Sequence, residues 1–318
     1  MSYYQKKTPI LFLIFNRPDI TEKVFNEIRK AKPRKLFLAA DGPKENNVND
    51  QKLCYLTRKI VKKVDWKCQV FTNFKDKNLG CKLAISSAID WFFKSVDYGI
   101  ILEDDCFPNQ SFFWFCQELL EKYQDNKRVM QISGNNFLFN QKEIKTSYYF
   151  SKINDIWGWA TWKRAWKAYD LKMTDFLWYK QQKYIYKYLK NKKIANWLMS
   201  YFEEAYQDRN STKGIWSSQW SYAMAKHNGL TIVPKTNLVE NIGIGEKATH
   251  SGKSFSLYTK AQKGEIDQLV HPKKVIVDEQ ADRLRFNIIC QTDPRLKKGY
   301  HKNQLIKKII NKFRFLKK

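Results

Sequence analysis

The sequence predicts an α/β fold built on a doubly wound, mainly parallel sheet and followed by a helix-rich C-terminal half. Over the first 140 residues, short apolar runs of strand length alternate with segments of helical periodicity. Such alternation favours parallel strands joined by crossover helices. Polar or acidic residues directly follow several of the runs. In a sheet of this kind those residues meet along one edge, where ligands bind.

The first predicted strand is a continuous apolar run, as expected for a strand buried on both faces. We place the strands of the first half at residues 9–15, 36–40, 66–71, 99–102 and 129–133. Helices are predicted between them, because apolar residues recur there at helical spacing. These helices cover roughly residues 19–28, 53–64, 81–92 and 112–123. The order is that of successive strand–helix–strand units.

The second half is richer in aromatic residues and in helical segments. We predict helices at residues 175–189, 194–207 and 216–227, and a strand at residues 230–234. No internal repeat or low-complexity linker separates the halves. We therefore predict one domain over residues 1–270, divided into halves at 1–140 and 141–270. Residues 271–318 form a basic C-terminal extension.

The composition indicates a globular protein with an anionic partner. Of the 318 residues, 43% are hydrophobic and 15% are aromatic, and the formal net charge is +27. That charge favours nucleic acid, an anionic membrane or a phosphorylated ligand as partner, although lysine-rich codon usage would also explain it. Six cysteines without metal-site spacing indicate reduced thiols in a cytoplasmic protein. The apolar run at residues 10–15 lacks the length and flanks of a signal peptide.

The leading candidate site is an acidic triplet, Glu103-Asp104-Asp105, at the end of the fourth predicted strand. Clustering three carboxylates costs repulsion and desolvation unless a cation compensates. Hard oxygen ligands suit Mn²⁺ or Mg²⁺, and these ions commonly accompany phosphates. Strand alternation places Glu103 and Asp105 on one face and Asp104 on the other. A solvated acidic turn is the alternative interpretation.

The chain beyond residue 294 is a basic segment with a helical apolar face. It carries ten Lys and Arg residues and no acidic residue. Its apolar side chains fall near one helical face: Leu305, Ile306, Ile309, Ile310, Phe313 and Leu316. This pattern is typical of a basic amphipathic helix on an anionic bilayer, which would make the protein peripheral on the inner face of the cell membrane. A solvated helix that packs on the domain remains the alternative.

Six short motifs, in their order and spacing, carry a resemblance to a known family. They are Phe15-Asn16-Arg17-Pro18, Ala40-Asp41-Gly42-Pro43, Asn78-Leu79-Gly80-Cys81, Ile101-Leu102-Glu103-Asp104-Asp105, Ile156-Trp157-Gly158-Trp159-Ala160-Thr161-Trp162, and Asn241-Ile242-Gly243-Ile244-Gly245 with Ala248-Thr249-His250. From about residue 9 to residue 250 the chain resembles GT-A-type glycosyltransferases. It is similar to bacterial nucleotide-diphospho-sugar transferases of the HlpA-like kind, and more distantly to the N-acetylglucosaminyltransferase I group.

The resemblance implies metal-dependent transfer of a sugar from a UDP-type nucleotide-sugar donor to a glycan or lipid-linked acceptor, with inversion in the eukaryotic group. The first half would bind the nucleotide, and the second half would close on the acceptor. Asp105 would ligate the metal, and His250 would close on the metal and diphosphate. Asp104 would lie nearer the ribose, with Glu103 also at the donor.

Further donor contacts follow from the same resemblance and from charge. Arg17 and Asp41 match positions that hold the base and ribose, and the loop containing Trp159 matches one beside the sugar. Lys82, together with Arg17, can add positive charge at the phosphates. Trp157, Trp159 and Trp162 fit a protein core as well as a sugar-binding loop, so both interpretations stay open.

The general base that inversion requires is not evident from the sequence. Relatives often carry Trp-Asp where this chain has Trp216-Ser217, and a serine is no base at neutral pH. Asp155 and Glu204 are therefore the candidates that we name, and Glu203 and Asp208 are further possibilities. A shifted alignment or impaired catalysis would account for the serine equally.

Two other functional classes remain open at this point. Lysines and tyrosines interleave over residues 180–193, as in nucleic-acid-binding patches, so a basic nucleic-acid-binding protein is one alternative. A nucleotidyltransferase that uses the same carboxylates is the other. The sequence contains neither G-x-G-x-x-G nor G-x-x-x-x-G-K-[ST], which disfavours a dinucleotide fold and a P-loop. We expect no specific nucleic-acid partner.

Overall fold

The computed structural model describes residues 7–243, 258, 261–293 and 296. Across these residues the chain forms ten strands. They are β1 (Ile10–Ile14), β2 (Lys35–Ala40), β3 (Gln69–Phe74), β4 (Tyr98–Glu103), β5 (Cys106–Pro108), β6 (Val129–Ser133), β7 (Tyr148–Ser151), β8 (Trp159–Trp162), β9 (Leu230–Pro234) and β10 (Val239–Asn241). Eight of them build one sheet, in the order β3-β2-β1-β4-β8-β6-β9-β7, and β10 pairs with β5.

The helices of the described residues lie between and after these strands. They are α1 (Pro18–Ala31), α2 (Val48–Arg58), α3 (Cys81–Ser95), α4 (Gln110–Lys122), α5 (Lys163–Trp166), α6 (Phe176–Gln181), α7 (Tyr184–Tyr188), α8 (Lys192–Gln207), α9 (Ser217–Lys226) and α10 (Glu279–Thr292). A 3₁₀ turn over Lys59–Lys63 extends α2. Among these helices, none is long and apolar enough to span a bilayer.

The sheet is mainly parallel, with β8 and β7 as its antiparallel members. β3, β2, β1 and β4 run parallel, and β6 runs parallel to β9. β8 lies antiparallel between β4 and β6, and β7 lies antiparallel to β9 at the edge. The predicted fold class, a mainly parallel α/β sheet with a helix-rich C-terminal half, is confirmed and is consistent with a GT-A-like fold.

Apolar side chains of the central strands are buried on both faces, as parallel packing requires. Alternate residues of β1 enter two different cores: Phe12 faces the core that contains α1 and α4, and Leu11 faces the core that contains α3 and α9. A third core joins α6, α7, α8, α9 and α10. The second half therefore continues the sheet of the first half and adds a helical layer.

Several elements differ from the sequence-based prediction. Residues 159–162, which we treated as part of an aromatic loop, form the inserted strand β8. The predicted helix at residues 175–189 is divided into α6 and α7, with Lys183 in a left-handed conformation between them. A helix, α10, occupies residues 279–292 within the predicted extension. The division of the chain into domains stays a prediction.

Strand order determines where a ligand can enter. The chain moves from β1 through β2 to β3 on one side and later places β4 on the other side of β1. In doubly wound sheets a crevice forms where the order reverses, beyond the carboxyl ends of the strands. Here that crevice lies between the end of β1, followed by Arg17, and the end of β4, followed by Asp104 and Asp105.

Candidate functional site

The crevice holds an arginine that binds two neighbouring carboxylates. The Arg17 guanidinium donates to Asp104 through Nε, at 3.3 Å from Oδ2, and through Nη2 to Oδ1. The same Nη2 lies 3.1 Å from Oδ2 of Asp105. Because β1 and β4 are paired in register, Leu13 opposite Glu103, the residues after each strand meet at this point. The sheet therefore brings Arg17 and the acidic triplet together.

Negative charge in this crevice exceeds the positive charge supplied by Arg17. Burial, together with repulsion from Asp105 and Asp104, raises the pKa of the Glu103 carboxyl, although Arg17 opposes this. Burial also raises the pKa of Asp104, despite its ion pair with Arg17. Three carboxylates therefore share one guanidinium, and a further cation would stabilise all of them. We refer to Arg17 and residues 103–105 as the acidic corner.

The strand pair β5–β10 places a second segment against the acidic corner. The Ile242 N–H donates to the Asp105 carbonyl at 2.9 Å. A Cβ atom built on Gly243 would lie 2.5 Å from Oδ2 of Asp105 and 2.7 Å from Nη1 of Arg17. No larger residue fits there without displacing both side chains. His250, the second predicted metal ligand, lies outside the described residues.

The donor chemistry of the acidic corner fits Mn²⁺ or Mg²⁺. Asp105 and Glu103 supply hard carboxylate oxygens, and Asp105 keeps 18% of its side chain exposed. Within the part of the chain that the structure describes, no group of three His, Cys, Asp or Glu side chains is arranged to hold a metal ion by itself. A divalent ion held here would take further ligands from bound phosphate oxygens, as is common for Mg²⁺.

Asp41, the predicted ribose or base contact, organises a loop at the same sheet edge. Its carboxylate accepts hydrogen bonds from the N–H groups of Gly42 and Leu79 at 2.8 Å and of Gly80 at 3.0 Å. It also accepts from Nδ2 of Asn78 at 3.0 Å. Three of these bonds, from Asn78, Leu79 and Gly80, attach the loop before α3 to the end of β2. Asp41 therefore shapes the edge of the crevice through this loop.

Lys82, the predicted phosphate contact, binds a different partner. Its Nζ donates to the Asp208 carbonyl at 2.7 Å and lies 3.6 Å from Oδ2 of the same residue. The Lys82 side chain is fully buried, and burial lowers its pKa although Asp208 opposes the shift. Lys82 thus connects the start of α3 to the segment after α8. The structure records no contact between Lys82 and the acidic triplet.

Trp159, the predicted sugar contact, lies in the protein core. It is 1% exposed and packs with three other tryptophans: Trp166, Trp216 and Trp220. Trp157 is only partly buried, and its backbone N–H donates to Oδ1 of Asn135. Of the two tryptophans that flank Gly158, Trp157 is therefore the more accessible to a ligand. A sugar-binding role for Trp159 would require the core to open.

Asp155, the first candidate base, forms an ion pair with an arginine that sequence reasoning missed. Nη2 of Arg285 lies 2.6 Å from Oδ1 of Asp155, and Nε lies 3.3 Å from Oδ2. The guanidinium packs against the rings of Phe137, at 4.9 Å, and Tyr258, at 5.1 Å. Arg285 occupies both carboxylate oxygens of Asp155, so an acceptor hydroxyl would have to compete with the guanidinium for them. No local signal in α10 distinguishes Arg285 from its exposed neighbours.

Glu204, the second candidate base, is exposed on α8. With Ser200, Glu203, Gln207 and Asp208 it lines an open cleft of about 590 Å³. Glu203 is paired with Lys180 at 2.7 Å, and Asp208 is the partner of Lys82. Because Lys82 begins α3 next to Gly80 and Cys81, the cleft and the loop held by Asp41 are joined through the first turn of that helix.

Comparison with known proteins gives no family membership. No protein-family model and no curated protein matches the chain. Solved structures similar to it include TarS 1–349 from S. aureus, with TM-score 0.35, 11% identity, and coverage of 49% of this chain and 47% of that one. A mannosyltransferase, PcManGT from Pyrobaculum calidifontis in complex with GDP-Man and Mn²⁺, has TM-score 0.34, 9% identity, and coverage of 51% and 46%.

A cytidylyltransferase from Leptospira borgpetersenii serovar Hardjo-bovis is also similar, with TM-score 0.30 and 12% identity. The match covers 51% of this chain and 62% of that one. This chain therefore spans less than two thirds of each of the three proteins. Likenesses this distant carry no information about the reaction that this chain performs.

Proposed function

We propose that this chain is a metal-dependent glycosyltransferase that moves a sugar from a nucleoside-diphosphate donor, a UDP-sugar, to a glycan or lipid-linked acceptor. The observation that carries the proposal is the acidic corner, where Asp104, Asp105 and Glu103 meet Arg17 at the strand-order reversal of the sheet. Crevices in this position bind nucleotides in doubly wound folds. The resemblance noted in the sequence adds inversion at the sugar and the HlpA-like assignment.

The chemistry of a nucleotide-sugar leaving group supports this proposal. Breaking the bond to the sugar leaves negative charge on a diphosphate, and a divalent ion stabilises that charge. In this chain, Asp105 and Glu103 would hold the ion beside Arg17, which binds Asp104 and Asp105. Gly243 packs directly against Asp105 and Arg17, so the segment after β10 borders the acidic corner. His250, Asp41, Lys82 and Trp159 remain proposed donor contacts.

Glu204 is the base that we favour for the acceptor hydroxyl. It is exposed on α8 and lines an open cleft. Glu204→Gln should lower turnover at least about a hundredfold and leave the affinity for UDP unchanged, as expected for lost general-base catalysis. Ser217→Ala should keep activity within about threefold, since a serine hydroxyl is no base at neutral pH. Equal turnover of the Glu204 variant and the parent would remove Glu204 from this role.

A panel of nucleotide sugars tests the proposed reaction directly. The protein should hydrolyse one donor slowly in the presence of Mn²⁺ or Mg²⁺, release the free nucleoside diphosphate, and lose this activity in EDTA. Release of pyrophosphate from a nucleoside triphosphate and a sugar phosphate would instead identify a nucleotidyltransferase. No turnover of any donor, with tight and salt-sensitive binding of RNA or DNA, would support the nucleic-acid alternative.

A further inference from the structure

Helices α6 and α7 carry large apolar side chains on both sides. Phe176, Tyr179, Ile185 and Tyr188 are buried in the helical core. Leu177, Trp178 and Tyr186 face outward, with 61%, 52% and 41% of their surface exposed. A leucine and a tryptophan exposed side by side favour contact with a partner, because removing apolar surface from water is favourable. The inner face thus anchors the two helices, and the outer face is left for a partner.

The same segment is strongly basic. Between residues 176 and 194 the chain has six lysines and no acidic residue, and all six are exposed. Lys180 pairs with Glu203 at 2.7 Å and Lys190 with Glu279 at 3.1 Å. For Lys183 and Lys187, no ion pair is recorded with any residue that the structure describes, and Nζ of Lys187 lies 5.0 Å from the ring centre of Tyr184.

We propose that this surface, defined by Leu177, Trp178, Tyr186, Lys183 and Lys187 and called here the α6–α7 surface, docks on an anionic lipid bilayer. Tryptophan and tyrosine favour the boundary between headgroups and acyl chains, since their rings have an apolar body and a polar atom. Lysines beside them attract anionic headgroups, and a leucine adds apolar surface that enters the bilayer. The combination therefore provides charge complementarity and burial at the same place.

Lipid fits this surface better than nucleic acid does. Binding of a single strand depends on aromatic faces that are open to stacked bases. Here the Trp178 and Tyr184 rings contact each other, with centroids 5.3 Å apart, and the most exposed apolar residue is the aliphatic Leu177. A leucine does not stack on a base but does partition into a membrane. The proposal depends on no step of the proposed reaction.

Vesicle sedimentation of the full chain tests the proposal. The parent protein should bind vesicles of phosphatidylcholine with phosphatidylglycerol and bind phosphatidylcholine alone weakly. Leu177→Gln/Trp178→Gln and Lys183→Gln/Lys187→Gln should each reduce binding to the anionic vesicles by at least about fivefold, since both burial and charge contribute. The control Val48→Gln/Tyr55→Gln removes two apolar residues of α2 that are 79% and 62% exposed and should bind as the parent does.

A local measurement separates this surface from the basic segment beyond residue 294. Lysine acetylation followed by mass spectrometry should show Lys183 and Lys187 protected on anionic vesicles, with Lys52 of α2 unchanged. Vesicle binding without protection of these two lysines would overturn the proposal, as would equal binding by parent and variants. Protection by RNA but not by vesicles would also overturn it. Donor hydrolysis is measured independently of vesicle binding, so a negative result for this surface leaves the proposed function intact.

Discussion

Among the described residues, Arg17 and Arg285 are two of the arginines that bind aspartates, and they differ in how completely their charges are balanced. Arg285 and Asp155 form a one-to-one pair, with side chains 10% and 20% exposed, and aromatic rings cover the guanidinium. Arg17 binds Asp104 and Asp105, has Glu103 nearby, and keeps 26% of its side chain exposed. The first pair is complete without a ligand. The second has excess negative charge that a bound cation would neutralise.

We expect this difference between a structural ion pair and a candidate binding site of similar composition. Both arginines contact a carboxylate through two nitrogens. A matched buried pair is destabilising to break but contributes little beyond that. An unmatched cluster of carboxylates is costly in the folded state unless a cation compensates for it. The experiments below act on one arginine site and use the other as reference.

The largest expected effect is on ligand binding at the acidic corner. Asp105→Asn should weaken Mn²⁺-dependent binding of UDP by about a thousandfold, equivalent to about 4 kcal/mol, because a charged partner of the cation is lost. Asp155→Asn removes the same charge from the balanced pair and should leave the affinity within about threefold. Titration calorimetry with and without Mn²⁺ measures both. If the two variants lose affinity equally, the acidic corner is not the metal–nucleotide site.

The next effect concerns stability, and here the loss should occur at the Arg285–Asp155 pair. Arg285→Met leaves Asp155 without its partner and should lower the free energy of unfolding by about 3 kcal/mol. Adding Asp155→Asn to Arg285→Met should restore part of this loss, since neither charge then remains buried alone. Arg29→Met breaks an exposed pair with Asp65 and should cost less than about 0.5 kcal/mol.

Urea denaturation followed by circular dichroism measures these values. Equal free energies of unfolding for Arg285→Met and Arg29→Met would contradict a structural role for the Arg285–Asp155 pair. UDP affinity gives a second readout, because Arg285→Met should leave it within about threefold if the pair is only structural. A large loss of UDP affinity in a folded Arg285 variant would instead place this pair in the donor site.

The sequence predicted the parallel strands and the acidic corner because both depend on local signals. Continuous apolar runs determine β1, β2 and β4, and the topology then brings Arg17 to Asp104. The predicted alternation that separates Asp104 from Asp105 is wrong, because both lie in the turn after β4 and both bind Arg17. The insertion of β8 between β4 and β6 has no such signal. Its four residues, Trp159–Trp162, are aromatic or small and fit a loop equally well.

Partners of individual side chains were the least predictable part. Lys82 binds Asp208, which lies 126 residues away, and Arg285 binds Asp155, which lies 130 residues away. Such pairs follow from packing of α3, α8 and α10, and charge spacing along the chain does not encode them. Trp159 illustrates the same limit, because an aromatic residue beside glycine is typical of both a ligand loop and a core strand. His250 and the basic segment after residue 296 remain predictions.

The smallest effect tests a third carboxylate, Asp282 on α10, which has hydrogen bonds in place of a guanidinium. It accepts from the Ser151 hydroxyl at 2.5 Å and from the Lys152 N–H at 3.1 Å. Burial, only partly opposed by these bonds, raises the pKa of Asp282 to about 6. Since this value exceeds the unfolded one, the stabilisation is complete below about pH 4 and is lost as the pH rises through 6.

Asp282→Asn removes this titration and keeps an amide that can bond to both partners. Between pH 4 and pH 7 the free energy of unfolding of the parent should therefore fall by about 2 kcal/mol relative to that of the variant. Asp155→Asn serves as the reference, since its carboxylate is balanced by Arg285 and its removal should not reproduce this slope. Parallel pH profiles for the parent and Asp282→Asn would show that the two hydrogen bonds compensate for burial without a cationic partner. In that case, pairing with a guanidinium would not be what distinguishes Asp155 from the carboxylates of the acidic corner.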